Sequence, residues 1–268
     1  MSYAPVDGLQ IALTDGVLHL TLDRPAQRNA IDDTVMQGLI DAIDAAGRDE
    51  AVRAILLAGT GDHFCSGADI VARNTPTGER PRVGSIQRRV PSLAHRLIPL
   101  VVNVQVPVVC AARGYVAGIG LHLAAAADFT VVAEDATLWE PFAQRGFTPD
   151  SGGTWLLPRR IGPARARELL LLGRRLTGTE AADWQLVHQA VPTVDVDATG
   201  LALAIQLAAG PTVSLGLTKW LLHQGEGRSL EAHLADEAFA LELSSRSEDF
   251  REGLGAFKDK RDPDFKGR

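Results

Sequence analysis

The sequence predicts an α/β protein, with a largely buried, mostly parallel sheet followed by a helical C-terminal region. Three observations carry this. Residues 10–23, QIALTDGVLHLTLD, alternate apolar and polar on either side of Asp15-Gly16, the pattern of two strands joined by a tight hairpin turn. Short apolar runs then recur with helical segments between them: RAILLAG at 53–59, VPVVCAA at 106–112 and FTVVA at 129–133. That rhythm belongs to crossover units around a sheet covered on both faces. From residue 198 helical periodicity takes over and runs to a charged tail, FKDKRDPDFKGR.

Each element has a local reason. Asp32 or Asp33 is placed to cap a helix whose Val35, Leu39, Ile43 and Ala46 share one face, and Gly47 to end it. Residues 84–104 read as helical around Pro91 and Pro99, as do 153–173 and 178–186. Pro, Gly and charge make 73–83, RNTPTGERPRV, a loop. Nothing reads as an interdomain linker, so residues 1–197 form a core and 198–268 a helical region of the same domain.

Composition excludes several functions. With 268 residues, 46% apolar content and a net charge of −6, the chain suits a globular enzyme rather than a nucleic-acid binder, which needs a concentrated positive face. The start, MSYAPVDGLQ, lacks a basic segment followed by an apolar run, so no secretory signal is expected. The longest apolar region, LIPLVVNVQVPVVCAA, is interrupted by Pro99, Asn103, Gln105 and Pro107, which argues against a membrane span. Cys65 and Cys110 have neither CxxC spacing nor nearby paired histidines; they read as reduced core thiols of a cytoplasmic protein. No histidine pair has metal-ligand spacing, so no metal site is expected.

Three short stretches can carry chemistry. In GDHFCSGADI, residues 61–70, an apolar strand runs into Ser66-Gly67, where backbone N–H groups are left to face whatever lies in front of the turn. In RGYVAGIGLHLAAAADF, residues 113–129, a glycine-rich turn opens an Ala-rich helix. It resembles a dinucleotide fingerprint only as far as Gly118-x-Gly120, because Leu123 stands where the third glycine belongs. Two such turns in one chain offer two amide donors to one developing oxyanion, each worth about 3 kcal/mol. In FTPDSGGTW, residues 147–155, Asp150 or Ser151 is suited to cap the helix that follows, or Asp150 moves protons.

Together, HFCSGADI, GYVAGIGLHLAAAADF and GFTPDSGGTWLLPRRIG resemble the crotonase, or enoyl-CoA hydratase/isomerase, superfamily. LDRPAQRNAI and EGLGAFKDKRDPDF extend the likeness over nearly the whole chain. The resemblance implies a crotonase-like spiral of β-β-α units with C-terminal helices, assembled as a homotrimer or dimer of trimers. It implies an acyl-CoA thioester substrate, with coenzyme A belonging to the substrate and no separate cofactor.

By motif position the oxyanion donors are the amides of Ala68 and Ile119, flanked by Gly67, Asp69, Ile70, Gly118 and Gly120. Ile119 replaces a usual glycine, and a β-branched residue there would be strained by a positive φ. The two glutamates of hydratases are replaced by His122 and Phe142, and Glu140 nearby is expected to point elsewhere. Asp150 stands where isomerase members carry their acid, and PDSGGTWLLPR is closest to the phenylacetate-pathway isomerase branch. A single carboxylate suits a 1,3-proton shift, so double-bond isomerisation with Asp150 as shuttle is the leading expectation.

A hydratase or thioester hydrolase using His122 and Asp150 around a water is the alternative, and a non-catalytic acyl-CoA binder a third. His122 is either a hydrogen-bonded core residue or an assistant to Asp150. Trp139, Phe142 and Trp155 line an acyl pocket or belong to the core. Arg24, Lys258 and Lys260 match regions that meet CoA phosphates, the last two for a neighbouring subunit. Arg159, Arg160, Arg165 and Arg167 read as a solvated helix face.

Overall fold

Asp15 and Gly16 adopt φ values of 50° and 79°, the left-handed pair that a two-residue hairpin requires. They join β1 (Leu9–Thr14) to β2 (Val17–Leu22) in antiparallel register from Leu9↔Leu22 to Thr14↔Val17. The computed structural model describes residues 3–69, 82–225 and 227–268. Ile70 and most of the 73–83 loop therefore lie outside the described residues.

Parallel pairing continues from β2 through β3 (Ala54–Gly59), β4 (Val108–Ala112), β6 (Phe129–Ala133) and β9 (Gln189–Val191), giving a six-stranded sheet in the order β1-β2-β3-β4-β6-β9. Every residue of β4 is buried, because helices cover both faces of the sheet. A second, three-stranded sheet holds β5 (Tyr115–Ala117), β7 (Thr137–Trp139) and β8 (Arg175–Thr177).

The first helix, α1 (Asp33–Ala46), starts where Asp32 accepts a 2.9 Å hydrogen bond from the Val35 amide. Its face of Val35, Leu39, Ile43 and Ala46 is fully buried, each large side chain contributing about 1.5–3 kcal/mol. The segment 84–104 divides into α2 (Ser85–Arg89), a 3-10 turn at Val90–Ser92 and α3 (Ala94–Asn103). Next come α4 (Ile119–Ala126), α5 (Gly153–Leu172) and α6 (Gly178–Asp183). Then follow α7 (Val196–Ala208), α8 (Thr212–Gly225), α9 (Leu230–Ser244) and α10 (Glu248–Asp259). Helix α7 packs on β3, β4 and β6, so the C-terminal helices begin as part of the sheet's own cover.

Two expectations for α5 are corrected. Neither Asp150 nor Ser151 caps it: the cap residue is Gly152 at φ 91°, with no side-chain hydrogen bond. The helix also breaks at Gly162, whose φ of 74° and ψ of 163° are non-helical, just before Pro163 removes a backbone donor. Arg160 is exposed, as expected of a solvated face, but its guanidinium is also anchored. Its Nε and Nη2 donate to the carbonyls of Ala125 and Ala127, at 3.1 and 2.9 Å. Among the described residues no single helix is long and apolar enough to cross a membrane.

Candidate active site

The first turn is held by a buried asparagine. Asn29 donates to the carbonyls of Thr60 and His63, at 2.9 and 2.6 Å, and accepts from the Arg24 amide at 2.8 Å. The chain then runs past Cys65, bridged in parallel to Val116, and Ala68, bridged in parallel to Ile31. The Ile31 amide bonds Gly67 O and the Asp69 amide bonds Ile31 O, both at 2.9 Å. In such a bridge the residue between turns its own N–H the opposite way, so the Ala68 amide faces away from Ile31. Gly67, at φ 111°, supplies a conformation that a side chain would oppose.

The second turn follows β5. Gly118, at φ 53° and ψ −125°, precedes α4, and its amide bonds Trp139 O at 3.0 Å. A methyl group placed on Gly118 would lie 3.7 Å from Gly67 Cα, so the two turns touch. Gly120 makes the approach possible, since a Cβ there would sit 2.6 Å from that of Cys65. The strain expected at Ile119 does not arise. The left-handed torsion falls on Gly118, and Ile119 is the first residue of α4, where an N–H has no partner four residues back. Among the described residues neither the Ala68 nor the Ile119 amide has a backbone acceptor.

Beside these turns stands a chain of polar groups. His122, one turn into α4 and completely buried, places Nδ1 2.6 Å from Ser151 Oγ. Its Nε2 is 2.9 Å from Oε1 of Glu140, which is equally buried. That contact is short but poorly aligned, and neither Glu140 oxygen has a directed hydrogen bond among the described residues. At the other end Ser151 Oγ donates to Asp150 Oδ1 at 3.3 Å. Asp150 is half-buried, and its carbonyl meets His95 Nε2 at 2.9 Å. Phe142 stacks on His122 with ring centres 5.9 Å apart and meets Phe147 edge-on. Gly153 leaves room for the imidazole, as a Cβ there would be 2.2 Å from Nε2.

The structure thus brings Gly67, Ala68, Gly118, Ile119, Gly120, His122, Phe142 and Asp150 to one place and leaves others elsewhere. The Trp139 indole is sandwiched between Arg145 and Arg175 and donates to Gly173 O, so it lies apart from the His122 cluster. Trp155 is 44% exposed beneath Arg159, on a surface groove beside α8. Arg24 is already matched by Asp69 at 3.1 Å and Asp32 at 3.3 Å and also bonds Ala30 O. It braces the first turn instead of offering a free cation. Lys258 and Lys260 are exposed at the end of α10. Cys65 and Cys110 are free and buried, and burial pushes the Cys65 thiol up to about 12 and raises Cys110 as well; both behave as packing groups.

Glu140 and Ser151 are the residues that sequence reasoning missed. Glu140 was expected to point elsewhere, but it follows Trp139 at the end of β7, and neighbouring strand residues face opposite sides. With Trp139 turned outward, Glu140 turns in.

The six-stranded, mostly parallel sheet, the side sheet and the trailing helices form the crotonase fold. An enoyl-CoA hydratase from Bacillus anthracis superposes with a TM-score of 0.91 at 30% identity, over 98% of this chain and 100% of that one. A structure described as a putative enoyl-CoA hydratase/isomerase from Mycobacterium abscessus gives 0.89 at 32% identity, over 97% and 100%.

Residues 12–268 match the enoyl-CoA hydratase/isomerase family, to which this chain belongs as an enzyme. The family acts on acyl-CoA thioesters. A 1,2-epoxyphenylacetyl-CoA isomerase of Escherichia coli is 40% identical over 94% of this chain and 96% of its own. A probable enoyl-CoA hydratase of Rhodobacter capsulatus is 37% identical over the full length of both. Relatives therefore carry both reaction names.

Proposed function

We propose that this enzyme isomerises an enoyl-CoA, with Asp150 carrying the proton between two carbons of the acyl chain. The thioester oxygen is received by the amides of Ala68 and Ile119. The Asp150 carboxylate removes a proton from the carbon next to the thioester carbonyl, and the charge spreads onto the oxygen between the two donors. Asp150 then returns the proton two carbons further along, and no water enters the product. Phe142, over His122 and against the Gly118 turn, supplies an apolar wall.

One observation carries the preference for isomerisation over hydration. Nδ1 of His122 is engaged by Ser151, and Nε2 is buried 2.9 Å from Glu140 Oε1 without a directed hydrogen bond. That leaves the half-buried Asp150 as the accessible base of the cluster, His122 being sealed from solvent. The E. coli isomerase likeness points the same way, and a phenylacetyl-type acyl group is the first to try.

The test is a panel of 2-enoyl-CoA and 3-enoyl-CoA esters together with 1,2-epoxyphenylacetyl-CoA, run in 18O-labelled water. Isomerisation without label uptake is the expected result; labelled hydroxyacyl-CoA would establish hydration instead. Asp150→Asn should lower kcat at least about a hundredfold while CoA-ester binding, followed by calorimetry, stays within a few-fold. Undiminished turnover in that variant would overturn the assignment of Asp150.

A further inference from the structure

Behind Asp150 lie three buried polar side chains that isomerisation as described above does not use. We propose that Glu140, His122 and Ser151 form an internal relay whose hydrogen-bond polarity holds the ionised Asp150 carboxylate in place, making all three positioning residues for the proton transfer. The inference rests on the assignment of Asp150 as the base.

The argument starts at the buried end. His122 Nε2 and Glu140 Oε1 are 2.9 Å apart, and both side chains are fully buried. A bare ring nitrogen facing an ionised carboxylate at that separation sets lone pair against lone pair, without water to soften the repulsion. A buried carboxylate without a compensating partner is costly, so the pair holds a proton.

The exposed end fixes the direction. An ionised Asp150 has only acceptor capacity, so the Ser151 hydroxyl at 3.3 Å must donate to it. Having spent its single proton there, Ser151 Oγ must accept from His122 Nδ1 at 2.6 Å. His122 therefore carries hydrogen on Nδ1, and the proton of the inner pair lies between Nε2 and Glu140. One protonation pattern satisfies the row from His122 Nδ1 to Asp150, and it aims a donor at the working carboxylate, while the Glu140 contact behind it is short but poorly aligned. The alternative, Nδ1 bare and accepting from Ser151, leaves Asp150 facing a lone pair. Gly153 belongs to the device, because a side chain there would collide with Nε2.

The titratable groups around this row among the described residues are Glu140 at the end of β7, His122 on α4 and His95 on α3, the last meeting the Asp150 carbonyl. His95 is exposed, so pH experiments are repeated in a His95→Gln background to remove its contribution.

The direct test needs no substrate. In the full-length protein, 15N NMR of the His122 ring should show a protonated Nδ1 while the Asp150 carboxyl, followed by its 13C shift, is ionised. A bare Nδ1 with Asp150 ionised would overturn the relay. The second test reads kinetics on an accepted enoyl-CoA. Ser151→Ala should move the acidic limb of the kcat profile upward by about one pH unit, the worth of a donor bond to a charged group, with KM unchanged. Ser151→Thr, which keeps the hydroxyl, should restore it. Glu140→Gln keeps the shape but not the proton, and should move the limb the same way by less.

A merely structural role would alter stability and leave the limb in place, and that result would also overturn the relay. If Glu140→Gln fails to fold, the ring spectrum and the Ser151 pair still decide. Full activity in Asp150→Asn would instead remove the base assignment itself, whatever the ring spectrum shows.

Discussion

His122 shows how one side chain acquires its setting from its neighbours. It is a lone histidine in an apolar helix, and its surroundings are made by Gly153, Ser151 and Glu140, which lie 18 to 31 positions later in the chain. Gly153→Ala is expected to cost about 1–3 kcal/mol through overpacking, read as a lower urea midpoint with the ring resonances of His122 displaced. An unchanged midpoint would mean that the imidazole has room the structure does not show. Gly67, Gly118 and Asp150 were legible as candidates because turn glycines and a carboxylate among small residues stand out locally. Glu140 was not legible, since its inward direction depends on Trp139 being occupied by Arg145, Arg175 and Gly173 O, contacts that no spacing reveals. The same limit hid the contacts of the Trp139 indole and the Arg24 guanidinium.

Among elements, those with a complete local code matched expectation to within a residue or two. The hairpin had its Asp-Gly turn, and α1 had an acidic cap, a buried stripe and a closing glycine. Replacing Asp32 by Ala should remove about 1 kcal/mol, measured by chemical denaturation; no loss would show that Val35 finds another acceptor. Helix α5 lacked such a code. Asp150 and Ser151 both looked like caps, but a side chain engaged in a tertiary row is not free for the amides of its own helix, so Gly152 takes the position in a left-handed conformation. The break at Gly162 was signalled by the Gly162-Pro163 pair, a turn-forming dipeptide, which the helical periodicity around it outweighed.

For the whole molecule, the buried sheet of crossover units came through because apolar strands alternate with helices, whereas the strand order and the second sheet did not, and the C-terminal helices keep much apolar surface in the open. Leu230, Leu234, Phe239 and Leu241 of α9 are all at least half exposed, and Ala240 is the buried residue of that helix. Exposed apolar side chains in this number suit a contact surface, and self-association is expected in sedimentation; a monomer at micromolar concentration would refute this. The charged tail is ordered: Glu252 is bonded by Arg261 and by the Asp264 amide. Those bonds lower its carboxyl from the usual 4.5 to about 2. A depressed carboxylate contributes above its unfolded value and loses that contribution as pH falls through the folded one. Between about pH 4.5 and 2 the Asp264 amide should therefore gain mobility in NMR relaxation, and a rigid amide at the lower end would contradict the clamp. Arg160 carries a longer-range consequence. It grips the carbonyl end of α4, about 12 Å from the Ile119 amide at the rise of an α-helix, like a hand on the stern of a short boat. The heading of that first amide is thus set partly from the far end, and trimming Arg160 would slacken the aim of a group it never touches.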